Sequence, residues 1–160
     1  MENEMKDRLV QRDTSQWRVS VVMCTYNGGR FLEEQLDSIV NQTYPVYELI
    51  IQDDGSTDNT EAVARSYAER YSYIRFYHHE GKPGVNRNFF SAMARAKGDL
   101  IAVADQDDIW ELDKLASQVA ILGDNWLVGG LSRPFSTDGT AVSFDDRLPN
   151  IHLLRMMYVE

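Results

Sequence analysis

Between residues 19 and 122 the chain alternates short apolar runs with amphipathic stretches, joined by brief polar links. The apolar runs are RVSVVMC (18–24), YELIIQ (47–52), YIRFY (73–77) and LIAVA (100–104). Between them, Phe31, Leu32, Leu36, Ile39 and Val40 recur on one helical face, and residues 60–71, 86–97 and 112–122 complete the helical set. Such alternation predicts parallel βαβ units, an α/β fold with a mainly parallel sheet and helices on both faces. The run at 100–104 reads as a strand buried on both faces, and the weaker run at 73–77 as one nearer an edge. Ser56 or Thr57 is expected to cap the second helix, and Gly98 to stop the third.

After residue 125 this rhythm breaks. Residues 126–131 are a candidate strand, Asp138-Gly139 a turn, residues 141–144 a hairpin arm, and residues 148–159 a helix-like apolar segment. The expected organisation is a leader at 1–17, a core at 18–125, and the start of a further region at 126–160. The polar opening lacks the apolar stretch of a secretory signal, and no run approaches the ~20 residues that span a bilayer. With a net charge of −9, the chain lacks the basic footprint of a nucleic-acid binder, so no nucleic-acid partner is expected. Cys24 is the single cysteine and has no internal disulfide partner, as suits a reducing cytoplasm.

The 100–104 run stops abruptly at Asp105-Gln106-Asp107-Asp108. In open α/β sheets ligands sit beyond the carboxyl ends of the strands. Three carboxylates held there repel one another unless a cation neutralises them. Hard ions such as Mg²⁺ or Mn²⁺ prefer such oxygen ligands and keep positions free for phosphates, so a metal-bridged phosphate site is predicted. Asp53 and Asp54 close the second run and would line the same crevice, although DDGSTD is also ordinary turn chemistry. The first run ends in Thr25-Tyr26-Asn27-Gly28-Gly29, where Tyr26 could offer a ring face to a base. Arg87 is a candidate diphosphate or carboxylate partner, or else a solvated helix charge; His78 and His79 read as exposed strand-end residues without a role. No dinucleotide fingerprint, P-loop, Ser-His-Asp set or Cys/His zinc cluster is present.

Four blocks, VSVVMCTYNGGRFLEEQLDSIVNQTYP, ELIIQDDGSTDNT, GVNRNFFSAMARAKGDL and VADQDDIWELDKL, follow in the order seen in family-2 glycosyltransferases. Over residues 19–115 the chain resembles these inverting GT-A enzymes, and DQDDIW is most similar to the rhamnosyltransferase-like branch of bacterial polysaccharide assembly. The resemblance implies a GT-A sheet with an incomplete acceptor half, a UDP or dTDP sugar as donor, and Mn²⁺ or Mg²⁺ as cofactor. It implies donor-binding roles for Thr25, Tyr26, Asn27, Asp54, Arg87 and Asp105, with Asp54 on the base. Asp105 and Asp107 would be the D-x-D pair, Asp107 on the metal and Asp105 on the ribose or a metal-bound water.

In the family the general base lies downstream, in the acceptor-binding half, and no such segment is recognisable before Glu160. Asp138, Asp145 and Asp146 are available carboxylates, but none is nominated. The expected function is inverting transfer to a glycan or lipid-linked acceptor in bacterial surface polysaccharide synthesis, in the cytoplasm or at the inner face of the membrane. The alternative is a nucleotide-sugar-binding fragment or pseudoenzyme that turns nothing over. A receiver domain or a D-x-D-x-[TV] phosphatase would carry its acids after the first strand, where this chain has Thr-Tyr-Asn, and a nucleotidyltransferase would want a Gly-rich, Arg/Lys-bearing first loop. Residues 148–159, with Ile151, Leu154, Met157 and Tyr158, are expected to pack against a second copy as a homodimer, or else to fold back on their own sheet.

Overall fold

The computed structural model describes residues 17–123, 125–131, 133, 135 and 136. Residues 1–16 of the expected leader, the turn and hairpin arm after residue 137, the segment 148–159, and Asp138, Asp145 and Asp146 all lie outside the described residues. Four strands, β1 (Val19–Thr25), β2 (Val46–Asp53), β3 (Ile74–His78) and β4 (Leu100–Ala104), form one sheet in the order β3-β2-β1-β4. Every pairing is parallel. Among the described residues four helices connect or follow them: α1 (Leu32–Val40), α2 (Thr60–Arg70), α3 (Val85–Met93) and α4 (Lys114–Leu122).

The two sides of the sheet bury different sets of side chains. Val21, Met23, Leu49, Ile51 and Ala104 point to one side, against Leu32, Leu36 and Ile39 of α1, Ala64 and Tyr67 of α2, and Leu115 and Val119 of α4. Val22 and Ile50 point to the other, against Ala92, Phe89 and Met93 of α3. Each fully buried Leu or Ile here contributes roughly 1.5–3 kcal/mol relative to leaving it exposed. The chain therefore steps outward from β1 to β2 to β3, then returns over the α3 face to lay β4 on the far side of β1. That reversal places a topological switch point between β1 and β4, where α/β sheets open a ligand crevice.

Four local expectations are corrected. β4 is not buried on both faces: it is an edge strand among the described residues, and Ile101 and Val103 are 46% and 44% exposed. Neither Ser56 nor Thr57 caps α2; Asp58 accepts the Thr60 N–H instead (3.0 Å), while the Ser56 hydroxyl turns toward Asp53. The third helix ends at Met93 with Ala94 as its cap, well before Gly98. Gly98 is small for another reason, since a Cβ there would stand 2.6 Å from the Arg18 carbonyl oxygen. Residues 126–131 form no strand, and Trp126 is 96% exposed.

Candidate functional site

Three loops meet at the carboxyl ends of the strands. The loop after β1 is bound to the loop after β2 by a series of hydrogen bonds. Asn27 N–H donates to Ser56 Oγ (2.8 Å), Asn27 Oδ1 accepts from Thr57 N–H (2.8 Å), and Gly28 and Gly29 N–H donate to Thr60 Oγ1 and Asp58 Oδ2 (2.9 and 3.0 Å). Asn27 takes φ 49°, a left-handed conformation that asparagine tolerates better than most side chains.

Asp53 and Asp54 then divide their work. Asp53 is buried and fully occupied, accepting from the Thr25 hydroxyl (2.8 Å), from Ser56 Oγ, and from the Gly55 and Ser56 N–H groups (3.0 and 2.8 Å). Thr25 is buried with it, so its hydroxyl braces the floor of the site. Asp54 faces the crevice rim, with its backbone N–H donating to the Thr25 carbonyl (2.9 Å). Its carboxylate accepts from Gly84 N–H (2.7 Å) and lies 2.7 Å from Nδ1 of His79.

The acidic loop after β4 is tied to β1 across the switch point. Gln106, the middle residue of Asp105-Gln106-Asp107, makes a two-way contact with the Tyr26 peptide: Oε1 accepts from Tyr26 N–H (2.9 Å) and Nε2 donates to the Tyr26 carbonyl (3.1 Å). A Cβ at residue 28 would stand 2.1 Å from Gln106 Oε1, so Gly28 is what lets the loops approach. From below, α1 and the turn that follows it support the same loop. Gln35 donates to the Asp105 carbonyl (3.0 Å), Ser38 Oγ accepts from Trp110 N–H (3.0 Å), and Gln42 donates to the Glu111 carbonyl (2.7 Å).

The carboxylates on this loop remain uncompensated. None of Asp105, Asp107 and Asp108 makes an ion pair among the described residues. Loss of hydration pushes the Asp105 carboxyl above its ordinary value, and the negative charges of Asp108 and Asp107 push it further; Lys114 opposes them. Burial also raises the Cys24 thiol to about 12, followed by the charges of Asp54 and Asp105. β1 lies between β2 and β4 in the sheet, so the acidic segments that follow those two strands emerge on either side of it at the same end. Tyr26 is 59% exposed at this end of the sheet, and Arg87 is exposed in the first turn of α3.

A divalent cation fits this donor set. The carboxylates are hard oxygen ligands whose mutual repulsion is otherwise unrelieved, although the described residues contain no group of three or more His, Cys, Asp or Glu placed to hold an ion by themselves. Such an incomplete set suits an ion that completes its shell with a ligand's phosphates.

Two residues of the site escape a reading of the sequence. Gln106 occupies the unspecified position of D-x-D, and His79, taken above as exposed, is 6% exposed at its side chain and paired with Asp54. Only the spacing of Gln35 and Ser38 on one helical face signals the support beneath the loop.

Fold and site together define the GT-A class of α/β proteins. The chain belongs to glycosyl transferase family 2, which it matches over residues 20–156. Among curated relatives, glycosyltransferase GlyG of Streptococcus pneumoniae is 32% identical over 76% of this chain and 41% of its own length. TuaG of Bacillus subtilis, whose name assigns it to teichuronic acid biosynthesis, is 33% identical over 82% of this chain and 50% of its own length. The chain thus spans half or less of these relatives. Among solved structures, the mannosyltransferase PcManGT of Pyrobaculum calidifontis, in complex with GDP-Man and Mn²⁺, has a TM-score of 0.63 at 28% identity and covers 77% of this chain and 39% of its own. TarS of S. aureus in complex with UDP-GlcNAc has a TM-score of 0.58 at 28% identity, covering 67% and 31% respectively. Among the described residues no helix is long and apolar enough to cross a membrane.

Proposed function

We propose that this chain is the donor-binding part of an inverting glycosyltransferase of bacterial surface polysaccharide synthesis. It would take a UDP or dTDP sugar and pass the glycosyl group to a hydroxyl of a glycan or lipid-linked acceptor. A lipid-linked acceptor would bring it to the inner face of the membrane. The observation that carries this reading is the uncompensated Asp105-Gln106-Asp107-Asp108 loop, bound through Gln106 to the β1 loop across the switch point.

Asp107 and Asp105 are the residues that would hold Mn²⁺ or Mg²⁺, with Asp105 also within the ribose region. When bound, such an ion supplies Lewis-acid stabilisation of the negative charge that develops on the departing nucleoside diphosphate. Asp54 accepts an N–H of the base, and Tyr26 offers its exposed ring face to it. Asn27 holds the base-side loop closed by accepting from Thr57 N–H. Arg87 brings an exposed guanidinium toward the diphosphate. In the transfer, the acceptor oxygen bonds to the anomeric carbon as the bond to the diphosphate oxygen breaks. The bond's electron pair leaves with the nucleotide, and the acceptor's proton goes to a general base, a role left unassigned to any described residue.

The test is calorimetric titration of UDP and dTDP with Mn²⁺ or with chelator. Binding is expected only with the metal, and Asp107→Ala is expected to abolish that dependence. Equal affinity with and without chelator would overturn the site.

A further inference from the structure

His79 belongs to none of the roles above, yet it is built into the site. Its ring is almost fully buried against Asp54, with side-chain exposures of 6% and 13%, at the point where β3 gives way to the loop entering α3. The backbone is fixed first: His79 N–H donates to the Asp53 carbonyl (2.8 Å), extending the β2–β3 pairing by one residue. The ring is fixed next, by Nδ1 at 2.7 Å from Asp54 Oδ1. Gly81 leaves the space for it, since a Cβ there would stand 2.8 Å from Nε2. The other carboxylate oxygen, Oδ2, accepts from Gly84 N–H (2.7 Å).

Asp54 is therefore held from both sides by donors. A carboxylate has only acceptor sites, and its partner nitrogen must supply the hydrogen, so Nδ1 carries the proton toward Asp54. Each carboxylate oxygen keeps a lone pair beyond these bonds, and the 13% of the Asp54 side chain that stays exposed can present it to a ligand. Such a group pairs with a base that presents an N–H, as uracil and thymine do at N3. It leaves cytosine, whose N3 is itself an acceptor, lone pair against lone pair. A mispaired polar edge is penalised more heavily than a missing contact.

We infer that His79 is a positioning residue that, with Gly84 N–H, orients Asp54 as an acceptor-only reader and so selects uracil- or thymine-type donors over cytosine ones. This rests on the nucleotide-sugar reading above and adds to it the residue that sets base choice.

The test measures UDP, 3-methyl-UDP and CDP affinities in the presence of Mn²⁺, for the full chain and its variants. The unmodified chain is expected to prefer UDP over the other two by about tenfold, the scale of one hydrogen bond to a charged group. His79→Leu is expected to shrink that preference to below about threefold, and His79→Asn, whose amide nitrogen can stand in for Nδ1, to restore most of it. An unchanged preference in His79→Leu overturns the positioning role, as does an equal loss for all three nucleotides, which marks a purely structural residue. An unmodified chain that binds all three alike overturns base reading by Asp54 itself, and the proposal with it. If His79→Leu fails to fold, Gly81→Ala displaces the ring instead; it should erode the preference in the same direction, and a wild-type preference there overturns the proposal.

Discussion

The carboxylates at this end of the sheet carry unequal burdens. Asp53 is surrounded by donors and holds a turn, whereas Asp105 has its side chain among like charges and gives only its backbone carbonyl to Gln35. Partial burial and the charges of Asp108 and Asp107 raise its folded-state value above the unfolded one. For an acid the sign is then unfavourable: the ionised form opposes folding at neutral pH, and that cost is relieved as pH falls through the raised value. Asp105→Asn is accordingly expected to raise the apo-protein's Tm at pH 7 by about 1–2 °C, a few tenths of a kcal/mol for a group partly in water. The same variant should weaken Mn²⁺-dependent UDP binding. Thermal scans with chelator and calorimetry with Mn²⁺ check the two halves, and a lowered apo Tm would refute the account of the charge cluster. Cys24 gives a second expectation at this scale: a thiol raised to about 12 stays protonated at pH 8, so its alkylation by iodoacetamide should be far slower than that of free cysteine. At this scale the sequence announces residues whose charge is conspicuous, Asp105 and Asp107, and hides those that act through a peptide or another side chain. Gln106 and His79 become functional only once β1, β3 and β4 are placed side by side, and nothing in their local spacing says so.

Elements were legible where a single period dominates. The apolar spacing of Leu32, Leu36 and Ile39 fixes α1, and all three are fully buried. The same α1 carries Gln35 and Ser38 into the interior, where an apolar-stripe argument expects neither. They are there because the loop 105–113 has buried backbone groups and no strand or helix of its own to satisfy them. Caps were less legible because several polar side chains compete for each free N–H, and Asp58 reached Thr60 where Ser56 or Thr57 was expected. The exposure of β4 is not legible in its apolar run, which reports hydrophobicity but not place in the strand order. Ser38→Ala tests the support role of α1. It strands the Trp110 N–H, for which a loss of about 1–3 kcal/mol is expected. Urea denaturation gives the stability change. Hydrogen exchange should show residues 105–113 opening sooner than the strands, and uniform acceleration across the sheet would argue against a local brace.

At the scale of the molecule, parallel topology explains why so much of the fold could be read in advance. Parallel strands require a crossover each, so the alternation of periods dictates the connections, and only the reversal after β3 remains to be found. That reversal leaves β4 at the rim of the described sheet with Ile101 and Val103 on the face shared with Val22, beyond the cover that α3 gives to β1 and β2. An exposed apolar edge strand invites pairing, and soluble proteins ordinarily cover or charge such edges. A second copy can supply this cover, with the exposed faces of the two β4 strands packed together about a twofold axis. We expect the 160-residue chain to dimerise as its concentration rises, and Ile101→Lys, which places a charge on the exposed face at the end of β4 farther from the acidic loop, to shift sedimentation toward the monomer. The dimer should leave Mn²⁺-dependent UDP binding intact, because β4's exposed face and the loops at the carboxyl ends of the strands are different surfaces. Sedimentation that stays monomeric at every concentration, together with protection of residues 148–159 from protease, would assign the cover to the chain's own C-terminal segment and reject the dimer.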